Sequence, residues 1–234
     1  MCGRYSVSVE PALLAERFEI ELPAGCERRW NVAPTQPVLG VVTSRDGSER
    51  RGRLLRWGLI PHWAKDERAG ARMINARAES LADRQPFASL LERRRCLVCA
   101  DGFYEWRTDP DGVRRPVRYV VDGGAPFAFA GLWAIWHDPR SDERVDSCTI
   151  VTTEPNELVE HVHDRMPVIL PREAEAAWLS HEVGPDEARS LLVPFDASRM
   201  TAADCSILLG SPDNDGPELL DPLLGAPDQL SLLE

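Results

Sequence analysis

Short apolar segments, each soon ended by proline, glycine or a charged turn, constrain this chain more than any other feature. Residues 3–9, 39–43, 53–59, 119–121, 127–136 and 147–152 read as strands. Residues 96–106 read as a buried strand that enters a glycine-containing turn and comes out again. The turn Arg45-Asp46-Gly47-Ser48 predicts a hairpin between the second and third of these segments. Helical patterning is scattered and brief: Pro11–Phe18 places Leu14 and Phe18 on one face, and 87–94 is amphipathic. Residues 155–161, 171–179 and 185–192 each begin with a proline suited to a first helical turn. Prolines at 34 and 37 predict an irregular loop over 26–37, and residues 60–79 lack any clean period and predict a long surface loop. Many short strands with dispersed helices give an α+β domain, expected over residues 1–220, followed by a tail at 221–234 rich in Asp, Pro, Gly and Leu.

No apolar run approaches the ~20 residues of a membrane span, and the first residues lack the basic-then-apolar pattern of a secretion signal. A cytoplasmic protein with reduced thiols at Cys2, Cys26, Cys96, Cys99, Cys148 and Cys205 is therefore expected. The net charge of −11 alone argues against nucleic acid, but the charge is unevenly placed. Residues 1–118 hold 21 Lys/Arg against 16 Asp/Glu, whereas 119–234 hold 6 against 22. A basic groove can exist on such a chain, because only the local field steers a polyanion.

The first residues carry the most distinctive chemistry. Met1-Cys2-Gly3 has a small second residue of the kind that permits removal of the initiator, which would leave Cys2 as a 1,2-aminothiol. An α-amine, with a pKa near ~7.8 against ~10.4 for lysine, is far more often neutral and nucleophilic at pH 7. An aldehyde taken up by that amine as a Schiff base can be attacked by the adjacent sulfur, closing a five-membered thiazolidine at high effective molarity.

Cys96-x-x-Cys99 lacks the second ligand pair that zinc needs, so buried apolar thiols are expected and no metal site is assigned. No P-loop, GxGxxG or GxSxG is present, which leaves nucleotide cofactors and serine hydrolysis without support. Glu105, between Tyr104 and Trp106, has surroundings that would raise a carboxyl pKa and suit it for proton transfer. His163 is a further acid–base candidate, Asn75 could bond an amine, and Arg77 could hold a phosphate. Trp63 and Trp106 lie beside loops where an indole could stack on a base, while others of the set Trp57, Trp133 and Trp136 belong to the core.

Eight segments occur in order that together resemble the SOS response-associated peptidase (SRAP) family, which captures abasic sites in single-stranded DNA. They are Met1-Cys2-Gly3-Arg4, Trp30-Asn31-Val32-Ala33-Pro34-Thr35, Arg56-Trp57-Gly58-Leu59-Ile60-Pro61, Ile74-Asn75-Ala76-Arg77-Ala78-Glu79, Asp101-Gly102-Phe103-Tyr104-Glu105-Trp106, Phe129-Ala130-Gly131-Leu132-Trp133, Thr149-Ile150-Val151-Thr152-Thr153 and His163-Asp164-Arg165-Met166-Pro167. The resemblance implies one α+β domain with a barrel-like, bifurcated antiparallel sheet and peripheral helices. It implies that Cys2, after loss of Met1, forms a thiazolidine with the ring-opened sugar. Asn75 would position the amine, Glu105 would serve as acid and base, and His163 would assist sugar opening. Arg77 and Trp106 match phosphate and stacking contacts, and Arg4, Asn31, Pro34, Trp63, Thr152 and Arg165 fall on segments lining the DNA channel. The implied partner is single-stranded DNA containing abasic sites, met by a monomer without metal, nucleotide cofactor or membrane, in the cytoplasm and at the nucleoid when acting on DNA. Cys99 stands where many relatives carry proline or an aromatic residue, and residues 201–212 match the family only loosely.

Two other readings stay open at this point. Cys2, His163 and Glu105 could be the nucleophile, base and orienter of a cysteine peptidase, or Arg77 and the tryptophans could serve a non-catalytic single-strand binder.

Overall fold

Each short apolar segment becomes a strand whose length is set by the breaker that follows it. The computed structural model describes residues 2–44, 46–110 and 112–222. In chain order the elements are β1 (Arg4–Val7), α1 (Pro11–Phe18), β2 (Arg29–Val32), β3 (Pro37–Thr43), β4 (Arg50–Trp57), β5 (Asn75–Arg77), α2 (Phe87–Arg93), β6 (Arg95–Ala100) and β7 (Gly102–Thr108). They continue with β8 (Arg114–Val121), β9 (Phe127–His137), β10 (Arg144–Thr153), β11 (Met166–Pro167), β12 (Ile169–Leu170), α3 (Arg172–Leu179), α4 (Pro185–Ser190) and β13 (Met200–Asp204). The tail from residue 223 onward lies outside the described residues.

Two sheets share the core. In one, pairing runs β10-β4-β3-β6-β9 and returns from β9 to β10, so five strands close on themselves as a barrel. The other is open, in the order β13-β8-β7-β1-β2. Pairing is antiparallel except where β10 runs parallel to β4 and then to β5. That pair of neighbours divides β10 between the barrel and a branch: Ser147 and Cys148 face Arg56 and Trp57, whereas Ile150 to Thr152 face Asn75 to Arg77. The expected α+β domain with a barrel-like, branching sheet and peripheral helices is what forms.

Within the barrel, β6 and most of β9 read as near-continuous apolar runs because both their faces are buried, whereas β4, with four arginines, is only partly covered. All six residues of β6 are buried, and in β9 every residue from Phe127 to Ala134 is. Cys96 and Cys99 are both fully buried free thiols, and a spacing of three on a strand sends them to opposite faces. Aromatic rings join the two sheets. Tyr5 of β1 meets Trp57 and Phe129 edge-on at 5.2 and 5.6 Å, and Phe103 of β7 meets Phe129 edge-on at 6.3 Å. Burying each such ring is worth about 2–3 kcal/mol, so β1 is anchored by its own hydrophobic residues.

Three expectations need correction. Residues 60–79 are not a plain loop: 3-10 segments of about two turns at Glu67–Arg72 and one turn at Ala78–Ser80 flank the strand β5. A three-residue strand is too short to show a period and exists only because β10 pairs with it. The excursion is tied by backbone contact between Gly58, at φ +129°, and Gly70, where a Cβ on Gly70 would lie 2.4 Å from the Gly58 carbonyl oxygen. Residues 26–37 likewise contain β2, which pairs with β1 before Pro34, while Pro37 sits at the first position of β3 where its missing N–H is tolerated. Residues 155–161 form turns instead of a helix: the Asn156 side chain accepts from the amides of Leu158 and Val159 as a helix cap does, but only scattered backbone bonds follow, such as Glu160 N–H to Asn156 O and His163 N–H to Val159 O.

Buried charge fixes two junctions that the hydrophobic pattern does not reveal. Asp101, at the step from barrel to open sheet, accepts from Ser6 Oγ, Ser8 Oγ and the Val9 amide at 2.6–2.8 Å and pairs with Arg118 at 3.0 Å. Arg95 donates to Leu91 O and Trp178 O, both at 2.5 Å, and so bridges carbonyls at the C-terminal ends of α2 and α3.

Candidate functional site

Cys2 immediately precedes β1, whose position follows from its two neighbours. Arg4 to Ser6 pair with Tyr104 to Gly102 on β7, and Tyr5 pairs with Val32 on β2. This register carries Glu105 to the level of Gly3, one residue from Cys2. From the other side, β5 presents Asn75, whose Nδ2 donates to the Cys2 carbonyl at 2.8 Å. The partner oxygen, Asn75 Oδ1, is buried and has no hydrogen-bond partner among the described residues. Cys2 itself is fully buried, with Sγ 3.8 Å from the Arg4 carbonyl.

Electrostatics separates these groups by role. Burial pushes the Cys2 thiol well above its ordinary value, and the nearby Glu105 carboxylate pushes it further, so the sulfur is held as a thiol. Glu105, 4% exposed, is raised to about 7 by burial, and Arg114 opposes this. At neutral pH that carboxyl is near half-protonation and can both give and take a proton.

His163 lies in the turn before β11, and its pKa is lowered by burial. Its Nδ1 accepts the Arg165 amide proton at 2.9 Å. Asp164 Oδ1 is also 2.9 Å from Nδ1, but that contact requires a proton there and would break the Arg165 bond. With Asp164 exposed and the imidazole's basicity reduced, the neutral ring with its proton on Nε2 is the form favoured near pH 7, and it presents a donor.

The remaining candidates divide into exposed and occupied side chains. Arg77 is exposed at the end of β5 and has no ion pair among the described residues. Trp63 is 54% exposed and stands edge-on to His62, although its loop is held at the barrel by Trp136 Nε1 donating to Ala64 O. Trp106 is half-buried against Tyr104, Cys205, Leu209 and Leu219, with the Arg114 guanidinium 6.0 Å from its ring. Pro34 is half-buried in the turn after β2. Arg4 and Asn31 have their polar groups turned to the chain's later residues: Arg4 donates to Asn31 Oδ1 and to the carbonyls of Leu209 and Gly210, and Asn31 donates to those of Leu209, Ser211 and Asn214. Thr152 is fully buried on β10. Arg165 makes a two-pronged pair with Glu79 and donates to Thr152 O at 2.7 Å.

The structure thus gathers Cys2, Asn75 and Glu105 at the junction of β1, β5 and β7, and it assigns Arg4, Asn31, Thr152 and Arg165 scaffold contacts. Sequence reasoning missed Asp101, which clamps β1, and Arg114, which acts on both Glu105 and Trp106. It also missed residues 205–220, which close over the open sheet. The one available signal for Asp101 was an acid placed between two apolar strand halves. Arg114 becomes a neighbour only through the β7–β8 pairing. Among the described residues no cluster of three or more His, Cys, Asp or Glu could hold a metal ion, and no helix is long and apolar enough to cross a membrane.

Known proteins resemble this chain over nearly all of its length. The model of the family described as SOS response associated peptidase (SRAP) matches residues 1–212. Abasic site processing protein YoqW of Bacillus subtilis is 45% identical over 225 residues, covering 94% of this chain and 99% of its own length. Abasic site processing protein YedK of Escherichia coli is 31% identical, with 95% of this chain and all of the relative covered. Abasic site processing protein HMCES of Gallus gallus is 32% identical, with 98% and 80% covered. A crystal structure of a Bacteroides thetaiotaomicron protein superposes with a TM-score of 0.84 at 27% identity, covering 95% of this chain and all of that one. A match of this extent, over the residues that form the site as well as the core, means that the chain belongs to the SOS response associated peptidase (SRAP) family.

Proposed function

We propose that this protein processes abasic sites in single-stranded DNA by covalent capture through Cys2 once Met1 has been removed. The observation that carries the reading is the Asn75 amide beside Cys2. Its Nδ2 already holds the Cys2 carbonyl, and its buried Oδ1 is free to accept a proton from an α-amine on the same residue. An amide used in this way orients a terminal amine and keeps its lone pair directed outward.

The chemistry balances without a cofactor. The Cys2 amine adds to the ring-opened sugar aldehyde and expels water to give a Schiff base. The thiol then adds to the C=N carbon, and its proton ends on the ring nitrogen. Glu105, at about 7, takes the sulfur's proton in the forward direction and returns it to the sulfur as the C–S bond breaks and the Schiff base re-forms when the thiazolidine reopens. Nε2–H of His163 is suited to protonating the sugar's ring oxygen as the hemiacetal opens. Arg77 supplies a phosphate contact, and Trp106 and Trp63 supply stacking surfaces. The relatives' names, abasic site processing proteins, support the same substrate.

A peptidase reading is less well supported. A peptidase nucleophile needs its thiolate, whereas burial and Glu105 both hold the Cys2 sulfur protonated. His163, with Nδ1 occupied by Arg165, presents a donor where a base would be required.

The deciding experiment is incubation with abasic and intact single-stranded oligonucleotides followed by a denaturing gel. A shifted band is expected only with the abasic strand and only when Cys2 is the first residue. A shift that persists in Cys2→Ala would overturn the mechanism.

A further inference from the structure

Away from Cys2, a concentration of positive charge surrounds a cavity of about 600 Å³ at the opposite end of β10. Arg51 and Arg53 reach it from β4, Arg93 and Arg94 from the end of α2, and Arg144 from the start of β10, with Trp133 on β9 as the floor. Arg94 and Arg53 carry their guanidinium carbons 4.5 and 5.8 Å from the Trp133 ring centroid. Two cations over one indole are no more than about 10 Å apart and repel each other. Asp146 offsets part of this by pairing with Arg53 at 2.9 Å and Arg144 at 2.7 Å, and Glu49 pairs with Arg51 at 3.1 Å, but Arg93 and Arg94 have no ion pair among the described residues. On a protein of net charge −11, five guanidiniums crowded around one cavity mark a place that holds an anion.

The location restricts what that anion is. From Thr152, beside Arg77, to Arg144 along β10 is about 27 Å at ~3.4 Å per residue, too far for a group bound at Cys2 to reach. A smaller depression of about 170 Å³, bounded by Pro61, His62 and Leu90, shares Arg94 and Ile135 with the arginine cavity. His62 also touches the exposed Trp63, which brings that indole next to the smaller depression. An exposed indole near a cluster of guanidiniums suits a chain of bases and phosphates, and the fork of each guanidinium fits a phosphodiester. Trp133, buried beneath Arg53 and Arg94, serves as a support for the cations.

We propose that the cavity lined by Arg51, Arg53, Arg93, Arg94 and Arg144 is a second DNA-binding site, which holds backbone phosphates of the same single strand several nucleotides away from the captured position. This rests on the reading of the protein as a single-strand binder, and it adds a requirement for length. Strands too short to extend past Trp63 are captured without help from the arginines, and longer strands gain from them.

The test compares intact single-stranded oligonucleotides of about 5 and about 16 nucleotides, spanning the usual range of single-strand sites, by fluorescence anisotropy across a salt series. The variant Arg51→Gln/Arg93→Gln/Arg94→Gln removes three charges and leaves the Arg53–Asp146–Arg144 pairings in place. For the long strand its log–log salt slope should fall by about 2, at ~0.7 per phosphate lost. For the short strand, slope and affinity should match the unsubstituted protein. Asp146→Asn, which releases Arg53 and Arg144, should tighten long-strand binding alone. Equal losses on both strands would mean a general field effect and would overturn the second site, as would an unchanged slope on the long strand. An abasic 5-mer crosslink run alongside reports on Cys2 capture separately. Its absence would refute the capture reading, and its presence with a flat long-strand result would refute only the second site.

Discussion

The two ends of β10 use polar residues in opposite ways. At the Thr152 end, Cys2 and Glu105 are withdrawn from water beside the half-buried Asn75, and burial shifts the thiol and the carboxyl far from their ordinary behaviour. At the Arg144 end, charge is abundant and open to solvent, with Arg144 and its neighbours paired or hydrated. Dryness suits one end to proton transfer, because a carboxyl with a pKa near neutrality exists only where ionisation is penalised. Hydration would suit the other to the phosphate binding proposed for it, because a solvated guanidinium binds phosphate by releasing counterions and needs no shift to do so.

The most severe break in this contrast is Cys2→Ala. It should remove the covalent product completely while noncovalent affinity for single strands stays within twofold, as read on paired denaturing and native gels. Next comes Glu105→Gln, which keeps shape but cannot exchange a proton. Crosslink formation and its reversal should both slow by about 100-fold or more in time courses against excess competitor.

The same variant sharpens the comparison through stability. Glu105 is protonated in the native state up to about pH 7 but ionises near 4.5 when unfolded. The unfolded chain therefore binds fewer protons across that window, and stability should be full below about pH 4.5 and fall as pH rises to about 7. The loss should reach about 2–3 kcal/mol in denaturant melts and be absent in Glu105→Gln. Wild-type and variant melts with the same slope over this range would show that Glu105 is not desolvated.

Smaller effects belong to the DNA contacts. Trp106→Ala should weaken single-strand binding by about 1–3 kcal/mol with little dependence on salt. Arg77→Ala should instead lower the log–log salt slope by about 0.7, one phosphate's share. Anisotropy titrations at several salt concentrations separate the two, and matching salt slopes for both variants would remove the distinction between stacking and charge.

How far the sequence disclosed this arrangement depended on the range of the interaction concerned. The helix Pro11–Phe18 and the hairpin of β3 and β4 were legible because period, proline and turn residues act over a few positions. Cys2, Glu105 and Asn75 could be singled out because their chemistry is unusual in any fold. Asn75 as part of a strand was not legible, since β5 has three residues and depends on Ile150 to Thr152 for its conformation. Arg4 and Asn31 show the same limit from another side. Their motif positions are plain, but their engagement with carbonyls from Leu209 to Asn214 spans most of the chain and leaves no local trace.

That last contact has a consequence for how the protein comes into being. Arg4 and Asn31 make five hydrogen bonds to residues 209–214, with a separation in sequence of as much as 206 residues. Asn31 is wholly buried, so without those carbonyls its amide would be enclosed and unsatisfied, a cost of about 1–3 kcal/mol. During synthesis Arg4 and Asn31 emerge long before the carbonyls of residues 209–214 that hold them. The two strands beside Cys2 are consequently fastened only after residues 209–214 have been made.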